Sequence, residues 1–201
     1  MFIRRTKEDD EAPQIDKRQL STYLLIFIVA PILTYAIGGW IDSVLSLPRF
    51  PPFPINLLVG FGVFFSGLAI GIKSTRRLYR EGLGLPWGEA VLETRTSKLV
   101  TTGLYAYMRN PMVLGYSMLP CGMGILFRSL GMALPITTIV LLVNIILVKT
   151  KEEPGLEERF GEEYRAYRNR TPFLIPRMGS LPKVLSTLIG SDDENEEDPT
   201  G

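Results

Sequence analysis

The sequence predicts an all-α, polytopic integral membrane protein with about four transmembrane helices, a tight C-terminal helical hairpin and a cytoplasmic amphipathic helix. Mean hydropathy is positive, at +0.16, although 21% of the 201 residues are charged, so the charges are gathered into blocks. Four long stretches without charge lie between those blocks. The lysines and arginines concentrate in alternate segments between the stretches, which is the charge asymmetry of a membrane protein.

The uncharged stretches are the predicted spans. A helix needs about 20 apolar residues to cross about 30 Å of hydrocarbon. The third stretch is the shortest and contains Pro120, which favours a tilt or a kink. In the second, Gly60, Gly67 and Gly71 predict a stripe where another helix approaches closely. The four spans are residues 23–41, 55–72, 112–127 and 131–148.

The third and fourth spans are separated only by Arg128, Ser129 and Leu130, which predicts a tight antiparallel hairpin. Because this connection is so short, the other ends of the two spans must lie side by side. The segments that adjoin those ends, residues 99–111 and 149–177, can therefore build one pocket. We call them the first flank and the second flank.

The distribution of basic residues predicts the orientation. Basic residues are frequent before the first span, after the second and after the fourth, whereas the two opposite connections contain only Arg49 and Arg128. Both termini and the central loop are therefore predicted to be cytoplasmic. Three regions follow: a polar cytoplasmic segment (1–22), one membrane-embedded domain (23–190) and a disordered acidic tail (191–201).

The composition argues against several kinds of site. A net charge of +1 gives no field that would favour nucleic acid. The chain contains no histidine, the commonest metal ligand and the usual base at neutral pH, so no metal site is predicted. The single cysteine, Cys121, lies in an apolar run and is predicted to be a buried small hydrophobic residue.

The first flank combines a glycine, two tyrosines and an arginine at the predicted membrane edge. Gly103 permits a turn or the close approach of a ligand. Tyr105 and Tyr107 provide aromatic rings with polar tips, and Arg109 provides a planar cation. The alternative is a simple interfacial belt. The basic segment 73–80, which follows the second span, is predicted to be a topology anchor.

The second flank begins with two carboxylates just below the fourth span. Glu152 and Glu153 need a cation or hydroxyl donors at this depth. The alternative to a ligand site is a structural ion pair with Arg109, Lys149 or Lys151.

An amphipathic helix is predicted to follow these carboxylates. Its apolar and aromatic residues recur at intervals of four, four and three, which places them on one helical face. Such a helix can lie in the interface or fold over the end of the hairpin as a lid. The residues of this face are Leu156, Phe160, Tyr164 and Tyr167.

Five short runs occur in order along the two flanks. They are Leu99-Val-Thr-Thr-Gly-Leu-Tyr, Arg109-Asn-Pro-Met, Glu152-Glu-Pro-Gly-Leu, Phe160-Gly-Glu-Glu-Tyr-Arg-Ala-Tyr and Pro172-Phe-Leu-Ile-Pro-Arg177. In order and spacing this set resembles the isoprenylcysteine carboxyl methyltransferase and phospholipid methyltransferase family. The resemblance covers residues 99–177, and the first two spans match only as hydrophobic helices.

The resemblance implies an S-adenosylmethionine-dependent methyltransferase whose cofactor region is residues 97–177. It implies a cofactor at the cytoplasmic membrane face and a lipophilic acceptor that arrives from the bilayer, similar to an isoprenylcysteine carboxylate, a phospholipid or an isoprenoid. Arg109 would hold a carboxylate or phosphate, and Lys149 would contact the acceptor. An amine acceptor must lose a proton, which in a chain without histidine would pass to Glu152, Tyr105 or water. The implied cofactor-binding residues are Ser97, Lys98, Leu99, Val100, Tyr105, Asn110, Pro111, Met112, Val113 and Glu153.

The sequence departs from the family pattern at three points. Asn110 stands where members have His, and Val113 stands where they have Tyr. Asn can form hydrogen bonds but cannot transfer a proton at neutral pH. The arginine usual near Lys149 is also replaced, which puts prenylcysteine as the acceptor in question.

Two other functions stay open on the sequence alone. One is a membrane reductase of sterol or enone type, for which residues 73–80 could bind the phosphate of a nicotinamide cofactor. The other is a non-enzymatic membrane scaffold. The predicted location is a prokaryotic plasma membrane with an endoplasmic reticulum as the alternative, and the oligomeric state is left open.

Overall fold

The computed structural model describes residues 24–82 and 97–190. Every regular element in these two ranges is helical, which confirms the all-α prediction for the described part of the chain. The predicted cytoplasmic segment (1–22) and acidic tail (191–201) lie outside the described residues, as does residue 23, the start of the first predicted span.

Six α-helices make up the described ranges. Short 3-10 turns at Gly103–Ala106 and Met178–Ser180 precede the third and the sixth. A π-helical turn, Leu25–Val29, leads into the first. The helices are α1 (Ala30–Val44), α2 (Ile55–Gly82), α3 (Pro111–Leu126), α4 (Thr137–Leu147), α5 (Glu153–Arg170) and α6 (Leu181–Ile189).

Helices α4 and α5 belong to one long helical stretch, Met132–Arg170. π-Helical turns at Met132–Ile136 and Val148–Glu152 flank α4 and join it to α5. The stretch is bent inside α5 at Gly161, whose φ of 50° lies in the left-handed region that favours glycine.

Two helices of the described chain are long and apolar enough to cross a membrane: Ile55–Gly82 and Met132–Arg170. Only 28% and 22% of their most apolar 18-residue windows are buried inside the protein, so most of this apolar surface faces outward, as lipid-facing surface does. Helix α3 is apolar but shorter, with 16 residues, and continues through Pro120. The number of spans therefore stays a prediction.

Helices α2 and α3 pack backbone against backbone at glycines. A Cβ atom at Gly67 would lie 2.6 Å from Met118 Cβ and 2.7 Å from the Gly115 carbonyl oxygen. A Cβ at Gly60 would lie 2.7 Å from the Leu126 side chain. Such distances leave no room for a methyl group. The predicted close approach of a helix along this stripe is confirmed.

Polar groups complete the helix ends on the side away from the two flanks. The Asn56 amide donates to the Leu126 carbonyl at 2.9 Å and so satisfies the C-terminus of α3. Asp42 accepts a hydrogen bond from the Gly131 N–H at 2.7 Å. Arg128 Nε donates to the Pro51 carbonyl at 3.0 Å. These contacts tie the connection between α3 and α4 to the earlier helices.

Candidate functional site

The two flanks meet through the predicted apolar face of α5. Leu99 from the first flank packs in one buried cluster with Tyr164 and Tyr167, and Leu156 and Phe160 pack against that cluster. Because all four α5 residues share this contact, the spacing-based prediction of one apolar helical face is confirmed. Helix α5 covers the first flank with this apolar face.

Tyr105 connects the first flank to α5 and to α2 through hydrogen bonds. Its carbonyl accepts a hydrogen bond of 2.7 Å from the Tyr167 hydroxyl, and its own hydroxyl donates to the Ser74 carbonyl at 3.4 Å. Burial, followed by the nearby Tyr167, holds the pKa of Tyr105 well above its usual value, so the phenol stays protonated. The interpretation of Tyr105 as part of an interfacial belt was wrong, because the ring is buried.

Arg109 and Glu153 form the central ion pair of the site. Arg109 Nη1 lies 3.2 Å from Glu153 Oε1, and the two side chains are 11% and 13% exposed. Burial, followed by the nearby Glu153 carboxylate, raises the pKa of the Tyr164 hydroxyl. The structural ion pair that the sequence left open as an alternative is therefore present.

This ion pair leaves polar atoms unused. Arg109 Nε and Nη1 and Glu153 Oε1 are buried and make no hydrogen bond, because the two charges touch without the alignment that a hydrogen bond requires. Nη1 and Oε1 keep their ionic contact at 3.2 Å, so of these three atoms Nε is the one without a partner, which typically costs about 1–3 kcal/mol. The arrangement can bind a further polar group without first breaking existing hydrogen bonds.

Phe173 joins the first flank to the chain that follows α5. The Arg109 N–H donates to the Pro172 carbonyl at 2.9 Å. The Asn110 N–H and its side-chain amide both donate to the Phe173 carbonyl, at 3.1 and 3.0 Å. One N–H of the Asn110 side-chain amide is thus committed to the protein, and its second N–H and its carbonyl oxygen are the groups with which it could contact a ligand.

The Phe173 ring lies near two cations. The Arg109 guanidinium carbon is 5.6 Å from the ring centroid, and Lys149 Nζ is 4.8 Å from it. Both distances are typical of cation–π contacts. The sequence-based site residues did not include Phe173, although it lies in the last quoted run. No local pattern marks Phe173 as a site residue, because its contacts depend on the path of the chain after α5.

Glu152 is a second carboxylate near the ion pair. It lies beyond Val148, the last residue of the apolar section of its helix. Burial, followed by the adjacent Glu153, raises the pKa of Glu152 to about 7. Glu152 can therefore gain or lose a proton near neutral pH, as the proposed proton-accepting role requires.

The remaining predicted cofactor residues divide into two groups. Ser97 and Lys98 are exposed, and the Ser97 N–H and hydroxyl both donate to the Gly82 carbonyl, at 2.8 and 3.2 Å. Val100 also packs against Gly82. This segment is attached to the end of α2.

Pro111, Met112 and Val113 form the first turn of α3. Pro111 and Val113 are buried, and Met112 accepts a 3.5 Å hydrogen bond at its sulfur from Thr75. The structure thus brings together Leu99, Arg109, Asn110, Lys149 and Glu153 around Phe173 and Tyr164. It places Ser97, Lys98 and Val100 against α2, and Met112 faces α2 as well.

The basic segment 73–80 is more than a topology anchor. Lys73 Nζ donates to the carbonyls of Thr187 and Gly190, at 3.1 and 2.6 Å. Arg77 forms an ion pair with Glu81 and donates to Thr102 at 3.0 Å. Within the described residues, no group of three or more metal-binding side chains comes together.

Comparisons with known proteins identify the family. Residues 55–163 match the family described as phospholipid methyltransferase, which is more than half of the chain and includes Arg109 and Glu153. The match begins at α2, so the second predicted span belongs to the family region and is not merely a generic hydrophobic helix. It ends before Phe173.

One curated relative is a protein-S-isoprenylcysteine O-methyltransferase from Schizosaccharomyces pombe, which is 30% identical over 167 residues. The alignment covers 77% of this chain and 66% of the relative, so the chain spans just under two thirds of the relative's length. No solved structure matches the sequence. The family match over more than half of the chain shows that this protein belongs to the phospholipid methyltransferase family.

Proposed function

We propose that this protein is an S-adenosylmethionine-dependent methyltransferase that acts at the membrane on a lipophilic acceptor. The observation that carries the proposal is the buried Arg109–Glu153 pair, whose polar atoms are not saturated by the protein. Both residues lie inside the family region. The name of the S. pombe relative supports methyl transfer to an isoprenylcysteine carboxylate or a similar group.

The residues of this pair fit the proposed cofactor. S-adenosylmethionine has a carboxylate and an ammonium at one end, a ribose diol in the middle and an apolar adenine at the other end. The Arg109 guanidinium suits the carboxylate, and Glu153 Oε1 suits the ammonium or the diol. Leu99 offers an apolar surface nearby. When bound, the cofactor would supply an electrophilic methyl group on its sulfonium.

The work left to the protein is alignment, exclusion of water and placement of protons. Lys149 and Arg109, both beside the Phe173 ring, give positive charge for the carboxylate or phosphate of an acceptor. A carboxylate acceptor needs no base. An amine acceptor must lose a proton, which Glu152 could accept near neutral pH.

The side of the membrane is part of the proposal. The basic residues before the first span and after the second and fourth spans favour a site at the cytoplasmic face, with both termini on that side. The yeast source of the relative gives no support to a prokaryotic plasma membrane, so the kind of membrane stays a prediction from the sequence.

Calorimetry of S-adenosylmethionine binding to the detergent-purified protein tests the first step. Glu153→Gln should weaken binding at least about tenfold, which corresponds to about 1.4 kcal/mol. Glu158→Gln is the matched control, because Glu158 is exposed on the same helix. The double variant Arg109→Met/Glu153→Gln removes both charges and should weaken binding at least as much as Glu153→Gln does. Absence of binding to the folded wild-type protein would refute the proposal.

Methyl transfer from tritiated cofactor identifies the acceptor class. A lipid extract and a small prenylated thiol acid are offered separately to the reconstituted protein. Label in the acid would show carboxylate methylation, whereas label in a phospholipid amine would show amine methylation, a reaction in which Glu152 could accept the proton. A protein that binds the cofactor but labels neither would contradict the proposed acceptor classes.

A further inference from the structure

Helix α6 packs one face against the first flank. Val184 is buried in a cluster with Ile70 of α2 and with Leu104 and Met108, which come shortly before Arg109. Leu188 packs against the same cluster. The inner face of α6 therefore holds the segment that leads into the candidate site.

The C-terminal end of α6 is fixed by Lys73. Its ammonium donates to the carbonyls of Thr187 and Gly190, at 3.1 and 2.6 Å. A cation at this position satisfies carbonyl groups that a helix end leaves unbonded and interacts favourably with the helix dipole. The contact holds the end of α6 beside α2 at the position of Lys73.

This position is the boundary between the apolar and the charged parts of α2. Residues 55–72 contain no charge, and Lys73 is the first charged residue after them. Ile70 and Lys73, which both contact α6, lie on either side of this boundary. If α2 spans the membrane, α6 lies at the membrane surface.

The outer face of α6 is apolar and exposed. Leu181, Leu185 and Ile189 are 42%, 57% and 78% exposed. At about 100° per residue, they lie within an arc of about 80°. Met178, which is 80% exposed, precedes them at a spacing of three. Lys183 is exposed and lies about 120–160° around the helix from the residues of this stripe.

We propose that α6 is an in-plane anchor whose outer stripe lies in the lipid of one leaflet, while Lys183 faces the headgroups. Three sectors, for protein, lipid and water, are what a helix at this depth requires. Ile72 of α2, which directly precedes Lys73, is also apolar and exposed. By holding Leu104 and Met108, the anchor keeps the first flank at the membrane surface.

Spin labels in the full-length protein test the proposal independently of cofactor binding. Cys121→Ala removes the single cysteine, and labels are then placed one at a time at positions 185, 189 and 183. The protein is reconstituted into vesicles of phosphatidylcholine and phosphatidylglycerol. Collision rates with oxygen, which dissolves in lipid, are compared with those of a water-soluble nickel chelate.

Labels at 185 and 189 should collide more often with oxygen than with nickel, and the label at 183 should show the reverse. Equal nickel access at 185 and 183 would overturn the proposal. Magnetic coupling between labels at 185 on different copies would also overturn it, because a second copy would then cover the stripe. Hydrogen exchange gives a label-free measurement: Leu185→Ser should speed the exchange of α6 in vesicles, and Lys183→Ser should not.

Discussion

Between α2 and α3 the backbones touch at glycines, whereas around Arg109 and Glu153 charged side chains meet and leave polar atoms unbonded. The contact between α2 and α3 depends on the complementary shapes of the two helices alone. Gly67 and Gly115 have no side chain to titrate or to bind a ligand, and their value lies in how closely they let two helices approach. The second contact would be more stable if its polar atoms were fully bonded.

The difference indicates how stability and function are divided in this molecule. The glycine contact supplies a rigid frame in the apolar section, and the polar contact retains binding capacity at its edge. Unbonded polar atoms persist where the surrounding structure over-determines their position. The hydrogen bond from the Arg109 N–H to the Pro172 carbonyl and the packing of Leu99 against Tyr164 provide that restraint here.

The largest expected effect comes from breaking the ion pair on one side only. Glu153→Gln leaves the Arg109 charge buried without an opposite charge, which typically costs about 3–5 kcal/mol. The double variant with Arg109→Met should be more stable than Glu153→Gln alone, since no buried charge then remains. Thermal unfolding in detergent gives all four corners of this double-mutant cycle. Additive losses would show that the two charges do not interact.

The next effect is a pH dependence that distinguishes the polar region from the glycine contact. The pKa of Glu152 is raised to about 7, so the folded protein binds this proton more tightly than the unfolded chain does. Its contribution to stability is complete below about pH 4.5 and is lost as the pH rises to about 7. Each pKa unit is about 1.4 kcal/mol, so the loss is on the order of 3–4 kcal/mol.

Glu152→Gln isolates this contribution, because it stays neutral at every pH. Relative to wild type, the variant should gain stability as the pH rises from about 5 to 7, and the gain should then level off. Unfolding temperatures of both proteins across that range give the difference. Parallel curves would mean that Glu152 has the same pKa in the folded and unfolded protein.

The sequence predicted the periodic features of both regions. The face of α5 followed from residue spacing, since Leu156, Phe160, Tyr164 and Tyr167 had to share one side of any helix. The close approach at Gly60 and Gly67 followed from the absence of side chains. The Arg109–Glu153 pair was available as an alternative because a buried carboxylate requires a partner.

Features that depend on where the chain returns could not be predicted. The Phe173 ring reaches Lys149 and Arg109 because the segment after α5 turns back along the first flank, and no local pattern encodes that path. The bend at Gly161 was missed because the apolar spacing continues across it. The hydrogen bond between Lys73 and Thr187 is likewise a tertiary contact between residues distant in sequence.

Gly67→Ala tests the frame and should have the third largest effect. Its new methyl group would lie 2.6 Å from Met118 Cβ, and overpacking of this kind typically costs about 1–3 kcal/mol. Gly62→Ala is a matched control on the same helix, since a Cβ at Gly62 meets no atom within 4 Å. The control should unfold at the wild-type temperature or slightly above it. Equal losses in both variants would refute the close contact.

The smallest effect is expected at Phe173, where the polar region depends on one ring. Phe173→Leu keeps the main-chain hydrogen bonds to Arg109 and Asn110 but removes the aromatic face near Arg109 and Lys149. A cation–π contact at a partly exposed site contributes about 0.5–1 kcal/mol, so the KM for an anionic acceptor should rise about two- to fivefold.

Phe173→Tyr keeps that aromatic face and should restore the wild-type KM, while the unfolding temperature of both variants stays close to that of the wild type. Comparison of the two variants separates the contribution of the Phe173 ring from that of the main-chain hydrogen bonds of the same residue. A KM that rises equally in Phe173→Tyr and Phe173→Leu would assign the effect to the shape of the side chain. The polar region would then resemble the glycine contact, because Phe173 would act through the shape of its side chain and not through its interaction with the two cations.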